Sequence, residues 1–155
     1  MEGRTQKIVD ELNVESTIFQ LFDEDELEKI APYFTLARFP AGMTIIREGD
    51  PGDFLGLIKS GRVEVKKEID FEGKQIILAQ LRQGAFLGEL AMVDEHPRSA
   101  TVTSVEDSEI LILSHEALES FMQKHPAIGI KFLKGICRSL SIRLREAAKR
   151  LTLIF

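Results

Sequence analysis

Residues 39–113 run as short segments, each about a strand long, between turns built on glycine, and that texture leaves few folds open. Pro40-Ala41-Gly42 is a turn and Thr44-Ile45-Ile46-Arg47 a strand. Glu48-Gly49-Asp50-Pro51-Gly52-Asp53 is a dense turn cluster, followed by a strand over 54–59 that Ser60-Gly61 ends. Arg62-Val63-Glu64-Val65-Lys66 alternates polar and apolar side chains, the pattern of a half-buried strand. Glu72-Gly73 turns into a more apolar strand over 75–81, and segments 100–105 and 109–113 close the series. Many short strands between glycine turns predict an antiparallel barrel or jelly roll.

Helical patterns flank this region. Ile8, Leu12 and Glu15 predict a helix over 5–21. Asp23 is a helix N-cap, with Glu24, Asp25 and Glu26 loading the first turn with acid and Pro32 near the end. Ser114 caps another helix, with Ala117, Leu118 and Phe121 on one face. Pro126 opens a last, long helix to about residue 151. Ile136, Leu140, Arg143 and Ala147 share one stripe of it, and Leu133, Cys137, Leu144 and Leu151 an overlapping one, so its apolar surface is broader than one barrel wall needs. The expected organisation is a single domain over 1–155: a helical segment 5–36, a β-roll 37–113 and helices 114–153.

A chain of 155 residues is long enough to bury a core without staples. Its net charge of −5 argues against a polyanion binder, and the basic side chains of 131–150 read as a solvated helix face favoured by the C-terminal dipole. No nucleic-acid recognition module is present, and no direct nucleic-acid partner is expected. The lone Cys137 cannot form an internal disulfide and fits a reducing compartment. No apolar run reaches membrane-spanning length and the N-terminus lacks a signal-peptide core, so the expectation is a cytoplasmic protein without membrane association.

The stretch GELAMVDEHPRSATV, residues 88–102, carries the chemistry. Gly88 permits close backbone approach, and one helical turn over 89–93 directs free N–H groups, at about Leu90 and Ala91, outward toward an anion. Pro97 breaks that turn. Arg98, whose planar fork suits phosphate oxygens, stands at the mouth of the next strand. Ser99 adds a hydroxyl and an N–H, and Ala100 another N–H. Glu89 would repel the same phosphate, so its carboxylate suits a sugar hydroxyl. A phosphate joined to a ribose with one free hydroxyl satisfies both groups. The plainer alternative is that Glu89 and Arg98 pair with each other across the loop.

Leu87-Gly88-Glu89-Leu90-Ala91 and Pro97-Arg98-Ser99-Ala100-Thr101-Val102 resemble the phosphate-binding cassette of the cyclic nucleotide-binding domain family, which includes the catabolite activator protein, protein kinase A regulatory subunits and cyclic nucleotide-gated channels. Phe39-Pro40-Ala41-Gly42, Arg47 to Asp53 and Ser60-Gly61-Arg62-Val63 resemble the family's turns, and the likeness covers roughly 18–150. It implies an eight-stranded β-roll, a double-stranded β-helix or jelly roll, with flanking helices. It also implies that Glu89 takes the ribose 2′-hydroxyl and that Arg98 neutralises the cyclic phosphate with Ser99 and amides near Ala91 and Ala100. Val65 and Leu78, on inward-facing strands, match positions that wall the purine. The long C-terminal helix would supply a lid, with Arg143 as its contact. Leu87 replaces a usual phenylalanine, and Gly56 stands where the family often has an aromatic residue, which implies looser packing there.

The resemblance implies a stand-alone sensor, not an enzyme, with cyclic AMP favoured over cyclic GMP because Ser99 stands where threonine often accompanies cyclic GMP preference. No metal or other cofactor is expected. The broad apolar stripe suggests a homodimer through the C-terminal helix, acting on an unknown effector. No helix-turn-helix, kinase-inhibitor segment or channel is read. Two alternatives stay open: a nucleotide-free protein-interaction module, and the truncated sensor domain of a transcription regulator. A cupin-type metalloenzyme is disfavoured because His96, His115 and His125 form no H-x-H pair and lie off the strands.

Overall fold

The structure is a computed structural model that describes residues 2–13 and 18–154. It divides into two compact units, a helical one (1–32 with 120–155) and a β one (33–119).

In the β unit, the described residues form eight strands: β1 Thr35–Phe39, β2 Thr44–Ile46, β3 Phe54–Ser60, β4 Arg62–Glu68, β5 Gln75–Arg82, β6 Phe86–Leu87, β7 Thr101–Ser104 and β8 Ser108–Ser114. They pair antiparallel into two four-stranded sheets, β1-β8-β3-β6 and β2-β7-β4-β5, the jelly roll expected from the turn-and-strand texture. Ile58, Leu87 and Ile110 of the first sheet and Ile46, Val63 and Val102 of the second form one buried cluster. The alternation of β4 puts Val63 into that cluster and Val65 against its margin, with Glu64 on the other face.

Two expectations need correction here. The helical segment is expected to run to 36, but Thr35 and Leu36 already belong to β1, whose residues Thr35 to Phe39 pair with Ile112 to Ser108 along β8. Strand β5 is found where expected, at the edge of its sheet, and Ile76, Ile77 and Leu78 are exposed. Gly56 does not loosen β3. A Cβ there would stand 3.0 Å from Ile110 Cγ2, so a neighbour already fills the aromatic residue's usual space.

In the helical unit, α1 spans Glu2–Asn13 and buries Ile8, Val9 and Leu12. The predicted helix over 5–21 does not reach its expected end: Glu15 lies outside the described residues, and 18–21 form a turn closed by the Phe22 N–H on the Phe19 carbonyl at 3.0 Å. Asp23 is extended, at φ −84° and ψ 173°, as an N-cap must be, so no helix can run through it. The turn lets Phe19 meet Phe22 edge-on, with ring centroids 5.0 Å apart, and approach Phe132 at 6.0 Å.

Helix α2, Glu24–Ile30, starts with a full capping box. The Asp23 carboxylate accepts from the Glu26 N–H at 2.8 Å, and Glu26 Oε1 accepts from the Asp23 N–H at 3.0 Å. The same Glu26 oxygen accepts from Lys131 Nζ at 2.7 Å. The Lys131 hydrogen bond, then the Asp23 amide, hold the Glu26 carboxyl below its ordinary pKa of 4.5. A lowered carboxyl pKa adds stability above the unfolded value and loses it as pH falls through the folded one. Glu26→Gln is therefore expected to lower the melting temperature at pH 7, and the gap from the parent should close below about pH 4.5. Melting curves from pH 7 to pH 3 check this; a gap that does not change with pH would show the charge to be idle.

Helix α3 spans Ala91–Asp94, α4 His115–Lys124 and α5 Pro126–Ile154. The Ser114 hydroxyl accepts from the Ala117 N–H at 3.0 Å, the predicted cap. Helix α5 buries Ile128, Phe132, Ile136 and Ser139 on one face, while residues 141–152 are exposed all round. At Gly135 a Cβ would collide with the Ile18 carbonyl, so the helix lies directly on that backbone. No helix among the described residues is long and apolar enough to cross a membrane.

Candidate functional site

Strand β6 ends at Leu87, and Gly88 takes a left-handed φ of +75°. A Cβ at Gly88 would run into the Arg98 guanidinium and come within 3.1 Å of the Phe54 carbonyl. Glycine is therefore required twice over, for its φ and for its missing side chain. Glu89 follows and is buried, at 2% exposure. Leu90 is the exposed cap of α3, one residue later than the turn predicted over 89–93. The Met92 N–H reaches the Glu89 carbonyl at 3.2 Å, which puts the Leu90 and Ala91 amides at the N-terminal end of the turn.

Arg98 is buried at 6% exposure. Its Nη2 donates to the Phe54 carbonyl at 2.6 Å and its Nη1 to the Gly88 carbonyl at 3.2 Å, and Cζ lies 4.7 Å from the Phe54 ring centroid. Burial lowers its pKa and the nearby Asp53 raises it, but a guanidinium stays charged throughout. The arginine is thus a cation held largely by neutral acceptors, and its hydrogen bonds run to these carbonyls, not to Glu89. Its backbone is clamped as well: the Arg98 N–H donates to Asp50 O at 2.8 Å, and Arg98 O accepts from the Gly49 N–H at 2.9 Å.

Ser99 is exposed and Ala100 half-buried. Pairing of Val65 with Val102 and of Lys66 with Thr101 lays β4 beside the exit of this loop, which brings Val65 near it. Leu78 occupies a bulge in β5, where the pairing steps from Val65–Ala79 to Lys66–Ile77, and is 49% exposed. Arg143 lies on α5 in the helical unit. The fold therefore gathers Gly88, Glu89, Leu90, Ala91, Arg98, Ser99 and Ala100 on one loop with Val65 alongside. A concavity of about 350 Å³ among Gly49, Pro51, Gly52, Asp53, Glu95, Pro97 and His115 shares none of these residues.

Sequence reading missed the loop's supports. Glu48 to Asp53 read only as turns, yet Gly49 and Asp50 clamp Arg98 and Asp53 faces its charge. Phe54 supplies a carbonyl and a ring, and only the ring has a sequence signal.

The model of the cyclic nucleotide-binding domain matches residues 36–125, more than half of the chain. The chain belongs to the cyclic nucleotide-binding domain family. A solved cyclic nucleotide-binding domain from Methylobacillus flagellatus superposes with a TM-score of 0.84 at 30% identity, covering 99% of this chain and 85% of that one. The cyclic AMP receptor protein of Thermus thermophilus is 32% identical over 90% of this chain and 62% of its own length. The regulatory subunit of a cAMP-dependent protein kinase from Aspergillus fumigatus is 38% identical over 63% of this chain and 22% of its own. The chain thus spans less than two thirds of these two curated relatives. The family is a ligand-binding regulatory domain.

Proposed function

We propose that the chain is a sensor that binds a cyclic nucleotide, cyclic AMP in preference to cyclic GMP, on the loop from Gly88 to Ala100. The observation that carries the reading is a buried cation, Arg98, fixed beside Gly88 and held mainly by uncharged acceptors. An anionic phosphate supplies the charge that the carbonyls do not. Glu89 takes the ribose hydroxyl, Ser99 and the amides of Ala91 and Ala100 complete the phosphate contacts, and Val65 and Leu78 wall the base. Ser99 and the cyclic AMP in the names of two relatives support the ligand preference. Calorimetric titration with both nucleotides tests it, and absence of binding by either would leave only the family's fold.

Binding shifts the population of α5, with Arg143 as its contact to the base, which requires tighter binding to one of the two states. The chain works as a homodimer through α5. Ile130, Leu133, Cys137, Leu140, Leu144, Ala147 and Leu151 recur at alternating steps of three and four, the seam of a two-stranded coiled coil. Ile130, Leu133, Leu144 and Leu151 are 40–72% exposed, on a different face from Phe132 and Ile136. In a parallel, in-register pair the two Cys137 residues meet across the axis within disulfide reach. Mild oxidation should therefore convert most of the protein to a covalent dimer. Because Cys137 is the only cysteine, the product reports on that position alone. A chain that stays monomeric by light scattering and does not cross-link would end the homodimer reading.

Arg98's two carbonyl bonds favour one other reading, that the arginine is structural and the domain a nucleotide-free interaction module. The same titration separates the two. The share of the relatives that the chain spans fits the sensor part of a transcription regulator equally well.

A further inference from the structure

Lys67, near the end of β4, holds a peptide group of the cassette. Its Nζ donates to the Ser99 carbonyl at 2.8 Å and to Glu48 Oε1 at 3.0 Å. Glu48 is itself tied down. Its Oε2 accepts from the Glu68 N–H at 3.2 Å, and its own N–H donates to Thr101 Oγ1 at 3.0 Å. Lys67 and the Glu68 amide hold the Glu48 carboxyl below its ordinary 4.5, so the bridge is charged at neutral pH. An isolated surface ion pair is worth little. This one closes a network over the loop at Glu48, the end of β4 and the start of β7, and it grips a backbone carbonyl as well as a charge.

The Ser99–Ala100 peptide is trans, so the carbonyl and the following N–H point in opposite directions. Holding the Ser99 carbonyl toward Lys67 turns the Ala100 N–H away from it, and no acceptor among the described residues meets that N–H. We propose that Lys67, braced by Glu48, is a positioning residue that aims the Ala100 amide at the ligand phosphate. The inference rests on the sensor reading above and adds two residues that touch no ligand.

The test titrates cyclic AMP and its two phosphorothioate diastereomers, in which sulfur replaces one or the other exocyclic phosphate oxygen, into the parent chain, Lys67→Met and Lys67→Arg. Lys67→Met is expected to weaken cyclic AMP roughly tenfold and to narrow the preference between the diastereomers, with Lys67→Arg restoring most of both. Equal weakening of all three ligands would show a purely structural role, and binding within about twofold of the parent would show none; either overturns the proposal. If the parent binds no cyclic nucleotide, the sensor reading fails, and the exchange rate of the Ala100 amide still judges Lys67. Faster exchange in Lys67→Met but not in Lys67→Arg keeps it as the anchor of this peptide, and unchanged exchange removes it.

Discussion

Arg98→Ala is expected to weaken cyclic AMP binding by on the order of a hundredfold or more, because a desolvated charge-assisted contact to the phosphate is lost. The substitution also strips the Gly88 and Phe54 carbonyls of their donor and empties the space over the Phe54 ring. A fully buried carbonyl left unpaired costs about 1–3 kcal/mol, and these two are part-buried, so the variant should melt a few degrees lower as well. Arg98→Lys separates the two effects. A lysine keeps the charge but cannot fork to two carbonyls, so binding should recover further than stability. Calorimetry beside thermal melts checks both. Full affinity in Arg98→Ala would remove the arginine from the ligand site altogether.

Gly135→Ala is expected to be the most damaging small substitution in the helical unit. In an exposed helix the change would stabilise by about 1 kcal/mol through propensity. Here the added methyl would collide with the Ile18 carbonyl and stand 2.8 Å from its carbon and 2.9 Å from its Cα, all backbone atoms that cannot rotate aside. Overpacking of this kind costs about 1–3 kcal/mol and sometimes more, so the clash outweighs the propensity gain. Gly129→Ala is the contrast. Its Cβ would meet only the Met122 side chain, at 3.1 Å, which can give way. Chemical denaturation of both variants checks the pair, and equal stability would mean that α5 can shift off the Ile18 backbone at little cost.

Features written in adjacent residues were legible in the sequence. Asp23 and Glu26 declare their capping box by spacing, and the family is legible in a glycine, a carboxylate and a Pro-Arg pair within eleven residues of one another. Features set by distant partners were not. Thr35 to Phe39 become a strand because β8 pairs with them from 69 to 77 residues away, and Leu36 and Arg38 are exposed, with no core contact to mark the alternation. The exposure of Ile76, Ile77 and Leu78 has no signal in these apolar side chains, because it comes with β5 having a partner on one side only. The Phe54 carbonyl that holds Arg98 has no residue signature at all, since every residue but its neighbours' geometry offers the same group. Lys67 reads as an ordinary polar strand position until the Ser99 carbonyl is found above it.

Helix α5 has mechanical consequences of its own. It is one unbroken helix of 29 residues, about 43 Å long, and it contains neither glycine nor proline after Gly135. Its buried stripe ends at Ser139, and about 22 Å of helix follows with neither glycine nor proline to bend at. A tilt of about 10° at Ser139 carries the far end through roughly 4 Å, enough to bring side chains at the tip out of register with whatever they touch. The displacement that such a helix can deliver is set by its length beyond the pivot, and removing one heptad there would halve the stroke while leaving the loop at 88–100 intact.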